Sequence, residues 1–257
     1  MSLSVSSFTG TIFGREVDAV GAPLAGSFWM DIGEVYPLET QVVSKEVKVK
    51  SRKVATAGQI IGAKADIDDI TGSMTLRQWN AFNLARFFSG TESLLTGAGG
   101  TMSPTEFTAP APGKWIELGH QDFTSLTVTS SPAGTTYVLG IDYEYNATLG
   151  LFTTVADGDL DAGTVAVLIG GAYAAQRDYR IEIGTRAQTR MAIKGELYNE
   201  FSGIKHKLEY DCVLLTAANA VNLVSEDGSE GEHLQFTNTY ITIPGKTSPG
   251  RIDGVPM

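Results

Sequence analysis

Apolar and polar positions alternate through much of this chain, most regularly between residues 191 and 212. Ile204, His206, Leu208, Tyr210 and Cys212 fall on one side of a two-residue repeat, with Lys205, Lys207, Glu209 and Asp211 on the other. Period two marks a strand with one buried and one solvated face. Just upstream, Met191, Ile193 and Leu197 alternate with Lys194, Glu196, Tyr198 and Glu200. The connector Asn199-Glu200-Phe201-Ser202-Gly203 is short, polar and contains glycine. Together the two runs predict a long antiparallel hairpin. Further strands are predicted over residues 26–34, 46–54, 63–76, 176–184 and 235–243. A helical repeat stands out over residues 77–88 (RQWNAFNLARFF), through Trp79, Phe82 and Arg86, with Gly90 as its stop. A short second helix over 217–224 would start on Thr216 as N-cap.

The middle of the chain differs in kind. Residues 91–113 are rich in Gly, Pro, Ser and Thr, the composition of a linker. Short strands with frequent turns then follow, at 115–118, 125–130, 137–139, 143–146, 151–154 and 164–169. That rhythm predicts a small β-sandwich over residues 104–174, inserted between the two parts, 1–103 and 175–257, of a larger domain. The expected class is mainly β with one flanking helix.

Charge and cysteine content narrow the function. Nineteen Lys and Arg against 29 Asp and Glu give a formal net charge of −10 over 257 residues. A nucleic-acid binder needs cations to displace counterions, so that balance argues against tight DNA or RNA binding. A single cysteine, Cys212, excludes an internal disulfide and a multi-cysteine metal site. The opening residues lack a basic stretch followed by an apolar one, and the longest apolar run, 165–175, is broken by Gly170-Gly171. Neither a signal peptide nor a membrane span is expected, which predicts a soluble protein made in a cytoplasm.

Catalytic patterns are missing. Asp157-Gly158-Asp159-Leu160-Asp161 opens like a calcium loop, but Ala162 stands where the sharp turn needs Gly and Leu168 cannot ligate. His120, His206 and His233 lie in separate segments without metal-ligand spacing. Cys212 sits mid-strand, where a buried inert thiol is expected. Gly97-Ala98-Gly99-Gly100 lacks the Lys-Ser/Thr of a phosphate loop, and Asn146-Ala147-Thr148 is a sequon without a secretory signal. Asp66, Asp68 and Asp69 cluster, yet nothing picks out two of them as an acid/base pair. The expectation is a non-enzymatic protein without metal or cofactor.

What remains is charge layout. Residues 45–53 hold Lys45, Lys48, Lys50, Arg52 and Lys53 with one acid, Glu46, so +4 sits inside a chain of −10. Lysines guarding an edge strand would explain this. So would a basic arm that docks on acid in another copy, since complementary head-to-tail patches build rings or filaments. Acids also recur on the predicted wet faces: Asp66, Asp68 and Asp69 on one strand, Glu196 and Glu200 on another, Glu209 and Asp211 on its partner. Solvated sheet faces account for these; lining a pore, they would let a duplex slide.

The order of these segments resembles the major tail tube proteins of long-tailed, siphovirus-like bacteriophages. The likeness is carried by Ala25-Gly26-Ser27-Phe28-Trp29-Met30-Asp31-Ile32-Gly33, the basic loop after it, and residues 66–76 (DIDDITGSMTL) running into the helix. The hairpin around 191–215 and the strand at 235–243 complete it, and residues 136–152 resemble a module common in phage virion proteins. The resemblance implies a β-sandwich core with a flanking helix, similar to the type VI secretion tube. Six subunits would close a ring, each giving four strands to an inner barrel, and rings would stack into a tube. Twenty-four strands at ~4.8 Å give a backbone diameter near ~37 Å, enough for a duplex. The loop at 42–61 would reach the neighbouring ring, and the inserted sandwich would decorate the outside. The implied partners are further copies of the chain, tail tip or baseplate, tape measure and tail terminator proteins, and DNA in passage without specific binding. The implied location is the virion tail, assembled in the host cytoplasm. From another class, a carbohydrate-binding or adhesin module would use Trp115, Tyr137, Tyr143 and Tyr145 as a stacking platform.

Overall fold

In the computed structural model, which describes residues 8–53, 57–160, 163, 165–221, 223 and 233–253, strands dominate. The chain opens with β1 (Phe8–Glu16), β2 (Met30–Asp31), β3 (Val35–Lys50), β4 (Ile60–Leu76) and α1 (Ala81–Phe87). The middle carries β5 (Thr91–Gly97), β6 (Gly100–Thr108), β7 (Ile116–Glu117), β8 (Phe123–Ser130), β9 (Tyr143–Asn146), β10 (Leu151–Thr154), β11 (Ala166–Tyr173) and β12 (Gln176–Glu182). It closes with β13 (Thr189–Asn199), β14 (Lys205–Ala217), β15 (Leu234–Tyr240) and β16 (Gly250–Asp253). Two units result, one from Met1–Glu92 with Ile181–Met257 and one from Ser93–Arg180.

The first unit is an antiparallel sheet in the order β2-β1-β13-β14-β15-β4-β3, with β16 alongside β14. Its core gathers Ile12, Ile32, Met74, Met191, Ile193 and Phe236 under α1, whose Phe87 meets Phe236 edge-on at 5.6 Å. The hairpin β13–β14 takes the predicted place, with one correction. Met191 pairs with Val213 and Ile193 with Tyr210, so Asp211 and Cys212 together oppose Ala192. This bulge reverses the alternation. Tyr210 and Val213 therefore both face the main core, and Cys212 turns to a second cluster with Val17 and Ala192.

Several expected elements are corrected. Helix α1 is shorter than 77–88 because the Arg77 amide still bonds to the Glu34 carbonyl, and Asn80 is the N-cap, accepting from the Asn83 amide at 2.7 Å. Its end is set by Ser89 in the left-handed region (φ 49°), one residue before the expected Gly90. The strand expected over 26–34 shrinks to Met30–Asp31, since Gly33 turns the chain at φ 79°. Residues 91–113 are largely strand: β5 pairs with β12, and β6 pairs with β11. Threonine is β-branched and suits a pleated sheet, which the linker reading undervalued. Pro104 is accommodated where the β6–β11 register shifts. The strand expected at 46–54 is the outer part of the longer β3. In the expected second helix, Ala217 instead ends β14, paired with Phe236. Residues 222 and 224 of that helix, like Asp161 and Ala162 of the calcium-like loop and residues 54–56 of the basic loop, lie outside the described residues.

The second unit is a sandwich of two three-stranded sheets, β7-β10-β9 and β6-β11-β8. Both feed one core, with Phe152, Leu160, Val128, Val167 and Ile169 fully enclosed.

Candidate functional site

The most unusual feature of the first unit is a two-stranded arm. Strand β4 pairs with β15 only through Thr71–Leu76, whereas β3 and β4 pair along their whole length out to Lys50 opposite Ile60. From Val42 and Ile70 outward the ribbon has no third strand among the described residues. Its nine residues on β3 span roughly 30 Å at ~3.4 Å each. A lone two-stranded ribbon is marginal in water, and this one leaves both faces wet. Val42, Val43, Val47, Val49, Ile60, Ile61 and Ile67 are all exposed, from 37% at Val43 to 67% at Ile67. Alternation puts Lys45, Val47 and Val49 on one face and Ser44, Glu46 and Lys48 on the other.

Charge on the arm is graded along its length. Near the sheet, the register shift between Val43 and Ser44 leaves Asp68 out of the ladder, beside Asp69. Further out, Lys45 lies opposite Asp66, which binds Lys64 at 2.8 Å, and Lys48 binds Glu46 at 2.8 Å. Lys50, Arg52 and Lys53 at the tip have no ion pair among the described residues. The tip turn is held by Ser51, whose amide bonds to the Gln59 carbonyl at 2.7 Å. The arm thus has an acidic base and a cationic end.

The remaining acids lie on the sheet surface, near cations of the same chain. Glu209 is flanked by Lys194 at 3.1 Å and by Arg251 at 2.5 Å. Glu196 binds Lys205 at 2.5 Å, and Asp211 binds Lys246 at 2.8 Å. The Lys205 hydrogen bond holds the Glu196 carboxyl below its ordinary range and raises Lys205 in turn. Glu200 sits exposed at the hairpin turn. This face is therefore a lattice of opposite charges and carries no excess of acid among the paired groups. Trp29 lies over it, beneath Arg15 at 4.6 Å and Lys194 at 5.2 Å.

One buried charge cluster escaped the sequence reading. Glu16 and Arg86 are 6% and 5% exposed, and Arg86 Nη2 donates to Glu16 Oε1 at 3.0 Å. Arg186 also binds Glu16, and Arg86 also binds Glu92 and the Phe82 carbonyl. Arg86 was visible as a charge on an apolar helix face, a signal that a carboxylate must meet it. Nothing local pointed to Glu16, 70 residues away in the sequence. A second network links hydroxyls: Tyr210 donates to Thr40 at 2.7 Å, Thr40 to Tyr240 at 3.1 Å, and Tyr240 to the Glu39 carbonyl at 3.1 Å. Burial is the largest cause pushing the Tyr210 hydroxyl up.

Groups weighed for chemistry are scattered. Cys212 is buried, and burial pushes its thiol up, the opposite of an activated nucleophile. His206 is buried in β14, His120 belongs to the second unit, and no cluster of metal-ligating side chains occurs among the described residues. The aromatic platform does not form: Tyr143 is 3% exposed and stacks on Phe152 inside the core, while Tyr137 and Tyr145 pack against that core. Trp115 alone of the four is exposed.

No helix of the described residues is long and apolar enough to cross a membrane. No curated protein matches the chain. A family model matches residues 5–206, and the chain belongs to that family, described as "Protein of unknown function UCP028589".

Proposed function

We propose that this chain is the repeating subunit of a phage-type tail tube, closing into hexameric rings that stack into a conduit for DNA. The observation that carries the reading is the β3–β4 arm, which exposes seven Val and Ile side chains on a ribbon with no third strand among the described residues. Covering half-exposed side chains of this kind is worth about 1 kcal/mol apiece, so about 7 kcal/mol per arm. Association alone costs a comparable ~4–15 kcal/mol, so one arm contact is marginal and many repeated contacts are needed. That favours a polymer of identical copies. The arm's cationic tip and acidic base suit head-to-tail contact, each tip meeting acid on the next copy.

In this reading the surface bearing Glu196, Glu200, Glu209 and Asp211 lines the bore. With Asp253, its carboxylates are matched in number by Lys194, Lys205, Lys207, Lys246 and Arg251, so it offers a duplex no cationic stripe to hold. Transit without binding follows from that balance as well as from an acidic wall. Tail tip, tape measure and terminator proteins would be the partners at the tube's ends, the location would be the virion tail, and no catalysis is involved.

The test is negative-stain electron microscopy of the purified chain at low and at high salt. Rings or hollow tubes a few nanometres in bore, dissociating as salt rises, are expected. Reversing the tip with Lys50→Glu, Arg52→Glu and Lys53→Glu should abolish them while leaving a folded monomer. A wild-type chain that stays monomeric at millimolar concentration, even with preformed tail tips as initiators, would sink the proposal.

A further inference from the structure

The second unit holds an open cavity of about 500 Å³ that the tube reading leaves without a role. Its size falls within the ~300–1,000 Å³ of sites that enclose small-molecule ligands. Four polar residues are among those that line it: Glu117, Gln121, Gln176 and Arg180. Glu117 and Arg180 make no ion pair with each other or with any other described residue, so a carboxylate and a guanidinium are both available to a ligand. Gln176 is fixed by donating from Nε2 to Asp122 at 2.8 Å and to the Gln121 amide oxygen at 3.5 Å, which leaves the Gln176 amide oxygen as an oriented acceptor and the Gln121 amide nitrogen as a donor. At the side, the His120 ring lies flat on the Tyr173 ring, with centroids 4.2 Å apart and planes 11° from parallel. Phe123 packs edge-on against both rings and fixes the stack.

This set discriminates among ligand classes. A phosphate or nucleotide needs an excess of cations, and here one guanidinium is balanced by one carboxylate. A purely apolar ligand would leave the polar groups unpaired at a cost. A ligand dense in hydroxyls, each both donor and acceptor, can satisfy a carboxylate, two amides, a guanidinium and the polar edges of His120 and Tyr173 together. We propose that this cavity binds an uncharged oligosaccharide of two or three sugar units. The site is independent of Trp115, Tyr137, Tyr143 and Tyr145, and of the tube reading.

The experiment is saturation-transfer difference NMR on the full-length chain with maltotriose, cellotriose and chitotriose. Uridine monophosphate and glucuronate serve as phosphate and acidic-sugar controls. Transfer to at least one neutral trisaccharide, saturating as its concentration is raised, is expected. Titration of that sugar against Glu117→Gln and Arg180→Ala should then show about tenfold weaker binding for each, the loss of one charge-assisted hydrogen bond. Both side chains are exposed, so folding should survive, and unchanged circular dichroism checks it. Transfer only to uridine monophosphate or glucuronate, transfer to none of the five, or a sugar affinity indifferent to both substitutions would each overturn the proposal.

Discussion

Arg86→Met is the sharpest test of how the first unit is held together. The side chain spans from Glu16, at 3.0 Å, to Glu92 and the Phe82 carbonyl, and its guanidinium lies 3.7 Å from the Phe82 ring centre. Methionine has a similar reach and would fill most of the space, so cavity formation contributes little. The dominant cost is electrostatic: Glu16 stays buried with only Arg186 to meet it. Breaking a buried ion pair from one side costs about 3–5 kcal/mol, because the stranded charge keeps its desolvation penalty. For a unit of this size each kcal/mol moves the midpoint by ~2–4 °C, so a fall of about 6–20 °C is expected in scanning calorimetry. Removing both charges, with Glu16→Leu and Arg86→Met, deletes the penalty along with the attraction. The double variant should therefore be more stable than the sum of the singles predicts, by about 2 kcal/mol. A loss below about 1 kcal/mol for Arg86→Met, or strict additivity in the double variant, would refute the argument that stranded charge sets the cost.

Other consequences can be measured directly. A Cβ added at Gly72 would lie 1.9 Å from the Glu39 carbonyl oxygen, so Gly72→Ala should cost about 3 kcal/mol or more in urea melts, whereas Gly58→Ala, with open space around it, is limited to its φ of 86°. Cys212 should react with a thiol reagent far more slowly in the folded chain than in urea; equal rates would show that it is not enclosed. Cys212, Tyr143 and Tyr210 all have pKa values raised chiefly by burial, above ordinary values of 9.0 and 10.0. Above those ordinary values the unfolded chain releases protons that the folded chain retains, so stability should fall as pH rises past 9 towards the raised folded values. Urea midpoints that do not fall between pH 8 and pH 10.5 would contradict this, and Tyr210→Phe should flatten the slope. Trypsin should cut first at Lys50, Arg52 or Lys53 in the free subunit, and assembled material should resist; early cutting elsewhere would remove the arm from consideration.

Much of the strand pattern was legible where one face is buried and the other is wet. β9 and β10 match their expected spans residue for residue, because both are bounded by turn-forming sequence. The β13–β14 hairpin was legible for the same reason, but its bulge was not, since nothing in Tyr210-Asp211-Cys212-Val213 marks where two residues will oppose one. β1 escaped because its buried positions are Ile12, Gly14 and Glu16, of which only Ile12 is a large apolar side chain, and because Gly10 interrupts the pattern as well. Both glycines face tight approaches that a strand-propensity argument reads as breaks: a Cβ on Gly10 would strike the Glu196 carbonyl. The basic stretch of the arm was plain in the sequence. Its apolar rows were not, since Val42, Val47 and Ile61 read as core until a third strand proves missing. The second unit's cavity draws Glu117, Gln121 and Arg180 from three separate segments, a grouping that only the fold creates.

Charge in the first unit falls into two kinds, and the distinction bears on assembly. Carboxylates on the sheet surface find cations within the chain, so they need nothing from a partner and gain little from one. The arm's tip is the reverse. Lys50 closes the β3–β4 ladder and Arg52 and Lys53 follow it, and none of the three has a carboxylate bound to it among the described residues. Exposed cations close together repel one another, and a carboxylate from another molecule relieves that repulsion. Unsatisfied charge at the tip and uncovered Val and Ile along the shaft therefore call for the same remedy, contact with a second surface. Salt should weaken the tip's contribution and leave the apolar contribution intact, because screening acts on exposed charge and not on buried hydrocarbon. In the proposed assembly the arm would therefore bind in two stages: a screened electrostatic approach by the tip, then burial of the shaft.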